Sequence, residues 1–160
     1  MTHANIDLAL SLVAQHFKGM TDKDGEPYVM HCLRVMMGVE DPQAQLVGLM
    51  HDLVEDTPVT IEDLRNHGFA PEVVDAVDLV THPDHLSYSD YVIRLKPNPL
   101  ARDVKLSDLR DNCGMSRVLY REDRIDGDAA RIQRYVLTYQ FLTDRIDEAA
   151  YKRLMQPHEA

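Results

Sequence analysis

The chain has 160 residues, 17 of them basic and 27 acidic, for a formal net charge of -10. That length fits one compact domain spanning residues 1–160, and 44% apolar with 28% charged residues excludes disordered or fibrous character. The acidity argues against a nucleic-acid partner, whose phosphates are met by basic patches, no apolar run is long enough to span a membrane, and two cysteines are too few for a disulfide framework or a thiolate zinc site, which fits a reducing cytoplasm.

Apolar residues at helical spacing (Ile6, Leu10, Val13, Phe17) predict a first helix over 5–17. The stretch from Gly19 to Pro27, with two glycines and a proline, is a loop long enough to carry function. A second helix starts at Pro27 or Tyr28 and carries His31 one turn in. Asp41-Pro42 supplies an N-cap and first-turn proline for a third helix, which Pro58 stops after Thr57. Thr60-Ile61-Glu62-Asp63 resembles a capping box and opens a short helix closed by Gly68. Further helices are expected from Pro71, from Ser87 or Ser89 through Lys96, and from Asn98-Pro99 through Cys113. A polar loop then leads to about Gly127 and a long final helix over roughly 128–155. No strand-like alternation occurs, so the expected architecture is all-α, with seven or eight helices around one core.

The third helix holds the densest chemistry. In His51-Asp52-Leu53-Val54-Glu55-Asp56-Thr57, the residues at 51, 52, 55 and 56 fall within an arc of roughly 140° on an unbroken helix and can face one cleft. The apolar neighbours Val47, Leu49, Met50 and Leu53 imply burial, and buried charges must be paired or hold a metal. His31, His51, Asp52 and Asp108 supply imidazole and carboxylate donors from three helices, a set suited to manganese or iron(II) over structural zinc. Glu55, one turn beyond His51, is placed to move a proton to or from water. Lys105, Asp108 and Asn112 share a face on the helix that Asn98-Pro99 begins. His16, His67, His82, His85 and His158 carry no expected role.

Taken in order, Gly25-Glu26-Pro27-Tyr28-x-x-His31, the His51 to Thr57 segment, and Val104-Lys105-Leu106-Ser107-Asp108-x-x-x-Asn112 resemble the HD-domain hydrolases of guanosine tetraphosphate, the RelA/SpoT-type domains and their small stand-alone relatives. The resemblance implies one metal, usually manganese, on His31, His51, Asp52 and Asp108, with Glu55 and Asp56 activating and positioning the attacking water. It further implies nucleoside contact by Asn112 and a pocket-lining role for Tyr135 within Arg131-Ile132-Gln133-Arg134-Tyr135. Lys23 and Lys105, with Arg110 behind them, are the candidate phosphate cations. The implied reaction releases pyrophosphate from the 3′-diphosphate, leaving GDP or GTP. Where many relatives carry an Arg-Lys pair before the Gly-x-Pro-Tyr segment, this chain has Asp22-Lys23, which opens the alternative of an adenine alarmone or the 2′-phosphate of NADPH. A catalytically silent nucleotide-binding module is the remaining alternative, and the oligomeric state is not encoded in any motif.

Overall fold

The computed structural model describes residues 5–115 and 122–158, and among these it holds ten α-helices with the helix Pro42–Met50 at their centre. In order these are α1 (Ile6–His16), α2 (Tyr28–Met37), α3 (Pro42–Met50), α4 (Leu53–Asp56), α5 (Ile61–Asn66), α6 (Pro71–Val80), α7 (Tyr88–Leu95), α8 (Pro99–Asn112), α9 (Ile125–Leu142) and α10 (Glu148–Met155), with a closing 3₁₀ turn at Gln156–His158. Among the described residues there is no strand, only one isolated bridge between Thr21 and Pro27 at the neck of the first loop. The expected all-α class holds. Part of the polar loop expected before α9 lies outside the described residues.

Side chains that cannot propagate a helix set where several begin. Asp41, Ser87, Asn98 and Asp147 each accept a backbone N–H from the first turn that follows, and Thr60 with Asp63 forms the full capping box. α3 is apolar on nearly every face. Ala44, Val47, Gly48, Leu49 and Met50 are all buried, so α1, α2, α6 and α8 pack around it. Each of its large side chains contributes about 1.5–3 kcal/mol by leaving water.

Two small residues let the site-bearing helices approach. A Cβ on Gly48 would stand 3.1 Å from the Met36 Cα and 3.3 Å from its N, so α3 touches the backbone of α2. A Cβ on Gly38 would overlap the Ser107 hydroxyl, which donates to the Val35 carbonyl at 2.8 Å and ties α8 to α2. His31 therefore meets both His51 and Asp108 at its Nε2.

Two expected helices are broken. The third is not continuous through Thr57: α3 ends at Met50, His51 and Asp52 form a turn, and α4 adds one turn more. Asp52 sits at φ -98°, ψ 0°, off the helical minimum, while its side chain is held by Tyr28 and His51. The long final helix ends at Leu142. Asp144 adopts φ 58°, and the Arg145 N–H reaches back to the Gln140 carbonyl and the Asp144 N–H to Phe141, a Schellman closure with Asp in the place glycine usually fills. Asp147 then caps α10, so the count rises from seven or eight to ten.

Candidate metal centre and active-site cleft

α2, α3 and α8 converge at the floor of a cavity of about 550 Å³. His31 and His51, 3% and 4% exposed, point their Nε2 atoms at each other across 3.2 Å. Asp108 Oδ1 lies 3.4 Å from His31 Nε2 and 3.8 Å from His51 Nε2, and donor atoms of these three residues all fall within 4.8 Å of one another. Asp52 Oδ2 approaches the same nitrogens at 3.6 and 3.0 Å and also accepts the Tyr28 hydroxyl at 2.6 Å. The Tyr28 ring is in turn stacked on Phe17.

Hydrogen bonding on the far side of each ring decides what this floor can hold. His51 Nδ1 donates to the Gly48 carbonyl at 2.8 Å, because a carbonyl can only accept. His31 Nδ1 faces the Asp111 carboxylate at 2.7 Å and donates likewise. Two neutral rings so tied would aim their lone pairs at one another, so the pair takes up positive charge between them, as a proton or as a metal ion, and imidazole and carboxylate donors without a thiolate fit a divalent metal ion.

The charge distribution says the same. Burial disfavours protonation of His31, yet hydrogen bonds to Asp108, Asp111 and Asp52 outweigh it and push the ring up to about 11. His51 is also raised, against its burial, chiefly by Asp52. Burial would raise Asp108, but the Lys105 ammonium 2.9 Å away and the two imidazoles hold it well below the usual carboxylate range. Asp52 is depressed in the same way, burial being overcome by His51 and His31. The cluster holds carboxylates ionised and attracts positive charge.

Glu55 and Asp56 line the same cavity. Glu55 accepts the His82 backbone N–H at 2.9 Å, which orients its carboxylate. Solvent reaches it, but the surrounding protein raises its pKa by burial, with Asp52 adding to the push and the His82 N–H opposing it. Asp56 is raised by burial and by Asp52.

Lys23, Lys105, Asn112 and Tyr135 all line the cavity, but not as four equivalent contacts. Lys105 and Asn112 are both engaged with Asp108, which Lys105 bridges and Asn112 reaches with its amide nitrogen. Arg110 is not among the lining residues; it is exposed and lies over the Tyr139 ring. Asp22 turns its carboxylate into its own loop, accepting the Asp24 and Glu26 N–H groups at 2.9 and 3.0 Å. The acid at this position is a loop former.

Several lining residues had no sequence signal strong enough to assign them. His82 sits in the wall, donating through Nε2 to the Leu86 carbonyl while its main chain holds Glu55. Arg131 and Arg134 project from α9, the latter with its guanidinium 4.7 Å from the Tyr88 ring centre and a buried Nε that meets no acceptor. Both arginines stand in the α9 segment that drew attention to Tyr135. Asp111 stands behind the lining, three residues past Asp108, the helical spacing that could have flagged it.

No family model matches the chain. It is 32% identical over 135 residues to a GTP pyrophosphokinase of Streptomyces coelicolor, covering 76% of this chain and 16% of that protein. It is 33% identical over 78 residues to the bifunctional (p)ppGpp synthase/hydrolase SpoT of Escherichia coli, covering 46% of this chain and 11% of that protein. A guanosine-3′,5′-bis(diphosphate) 3′-pyrophosphohydrolase of Aquifex aeolicus matches at 29% over 114 residues, 64% of this chain and 16% of that protein. The chain belongs to the SpoT-type HD-domain family.

This SpoT-type chain spans only 11% to 16% of the length of these relatives. Its fold matches a solved structure described as a metazoan ortholog of SpoT that hydrolyzes ppGpp, with a TM-score of 0.67 at 21% identity, covering 99% of this chain and 98% of the other. Among the described residues no helix is long and apolar enough to cross a membrane.

Proposed function

We propose that the SpoT-type chain, acting as one domain over residues 1–160, is a divalent-metal-dependent pyrophosphohydrolase of guanosine tetraphosphate and pentaphosphate, working in the cytoplasm with manganese. The observation that carries this reading is the floor of buried His31, His51 and Asp108 with half-buried Asp52, opening into the same cavity as Glu55, two α9 arginines and Lys23. The names of its relatives supply the substrate.

The four floor residues are the proposed ligands, and a metal there supplies Lewis-acid polarisation of phosphoryl oxygens and acidifies water. Glu55, anchored by the His82 N–H, takes the proton from the attacking water. Burial shifts it toward the range where a carboxylate serves as a base near neutral pH. Asp56 orients the water from the next position. One water is consumed, the bond from phosphorus to the ribose 3′ oxygen breaks, that oxygen takes up a proton, and pyrophosphate leaves. Lys23, Arg131 and Arg134 hold the phosphates as charge-assisted donors, and Asn112 and Tyr135 contact the nucleoside. Lys105 stabilises the ionised Asp108 and faces the same phosphates.

The Asp22 carboxylate, turned into its own loop, offers no cation to a purine at that wall. A related phosphorylated nucleotide, such as an adenine alarmone or NADPH, is therefore the second reading. A product assay with added manganese across 3′- and 2′-phosphorylated nucleotides tests both. Pyrophosphate release from guanosine tetraphosphate is expected; cleavage of another nucleotide in its place would remove the guanine assignment, and no cleavage of any would remove the enzyme.

A further inference from the structure

Asp111 and Arg34 take no part in the reading above, yet they form a short, two-point polar contact behind the metal floor. Asp111 lies one turn past Asp108 on α8, and Arg34 one turn past His31 on α2. The Asp111 Oδ2 meets His31 Nδ1 at 2.7 Å. Arg34 grips the same carboxylate through two nitrogens, Nε to Oδ1 at 2.6 Å and Nη2 to Oδ2 at 3.3 Å. The side chains of His31 and Asp111 are only 4% and 11% exposed.

We propose that Asp111, clamped by Arg34, is the positioning residue that fixes the tautomer and orientation of His31 for a divalent cation, a step that rests on the metal reading above. The α2 pair His31/Arg34 and the α8 pair Asp108/Asp111 share one spacing, so α8 presents a carboxylate to each face of the imidazole. Asp108 addresses Nε2 and Asp111 addresses Nδ1. A carboxylate at Nδ1 holds a ring proton there, so a cation that displaces the Nε2 proton finds the Nε2 lone pair aimed into the floor. His51 obtains the same tautomer from a main-chain carbonyl, Gly48. His31 obtains it from a side chain, and that side chain is steered by the Arg34 fork, whose geometry permits one orientation of the carboxylate plane.

The arrangement makes an unusual demand on a neutral isostere. An asparagine at 111 has one oxygen to offer where the carboxylate offers Arg34 and His31 one each. Arg34 has no acceptor capacity and must take that oxygen, so the amide NH₂ turns to His31 Nδ1 and drives the ring proton onto Nε2, into the metal site.

The test is manganese titration of the full chain by calorimetry, with metal-free thermal unfolding recorded for each variant. Asp111→Asn is expected to weaken manganese binding about 10–100-fold. Adding Arg34→Met to it frees the amide oxygen for His31 and is expected to restore part of the loss, a recovery that a purely structural role for the pair would not produce. A folded Asp111→Asn protein with wild-type manganese affinity overturns the proposal, as does a double variant binding no better than the single one. If the wild-type chain itself binds neither manganese nor iron(II), the metal reading fails first and takes this inference with it.

Discussion

Replacing Gly48 by alanine tests whether the approach of α2 to α3 is what builds the metal floor. The new Cβ would lie 3.1 Å from the Met36 Cα, 3.3 Å from its N and 3.4 Å from the Val35 carbonyl carbon. All three are main-chain atoms, so none can swing aside, and α2 must retreat by a few tenths of an ångström. Alanine gains about 0.5–1 kcal/mol over glycine within a helix, while overfilling a packed contact costs about 1–3 kcal/mol. The expected balance is a net destabilisation on the order of 1 kcal/mol. The larger effect falls on the site, because the retreat carries His31 away from His51, now 3.2 Å apart at their Nε2 atoms. A displacement of 1 Å at a reacting centre costs about 100-fold, so a shift of this smaller size is expected to cost roughly tenfold in manganese affinity and in turnover. Denaturant unfolding and metal titration of the purified variant give both numbers. A Gly48→Ala protein that is more stable by the full helical gain and binds metal unchanged would show that the helices have room to spare and refute the reasoning.

Glu55→Gln keeps the shape of the cavity wall and the floor ligands, so manganese affinity should stay within a few-fold while turnover falls about 10²–10⁴-fold; undiminished turnover would remove Glu55 from the proton transfer. Because burial raises this carboxyl, the acid limb of the wild-type rate should lie above the ordinary glutamate value near 4.3, with activity present above that raised value and lost as pH falls through it. A pH–rate profile checks this, and the Gln variant should lack the limb. Arg134→Met removes a cavity-facing guanidinium whose buried Nε meets no acceptor. One charge-assisted hydrogen bond is worth about 1.5–3 kcal/mol, so KM should rise about tenfold or more with kcat largely kept; steady-state kinetics showing an unchanged KM would place the substrate elsewhere.

The caps and the apolar spacing made most of the helices legible in the sequence, since a cap is a local hydrogen bond between residues two or three apart. Asp41-Pro42, Thr60 with Asp63, and Asn98-Pro99 each begin a helix where the sequence places one. Where a break depends on contacts from elsewhere, local spacing misled. The turn at His51-Asp52 interrupts a segment whose apolar residues alone favour one helix, and its aspartate is held by a tyrosine 24 residues away. The break at Asp144 needed a left-handed residue that was not glycine.

The sequence by itself determined the donor types of the floor and their order along the chain, because imidazole and carboxylate chemistry belongs to the residue wherever it folds. Only the tertiary structure decided which donors meet. Gly48 and Gly38 bring three helices close enough for His31, His51 and Asp108 to share one small volume. It also decided what stands behind them. Asp111 against His31 is a contact across 80 residues, made by the packing of α8 on α2, and spacing along a single helix carries no information about the face of its neighbour.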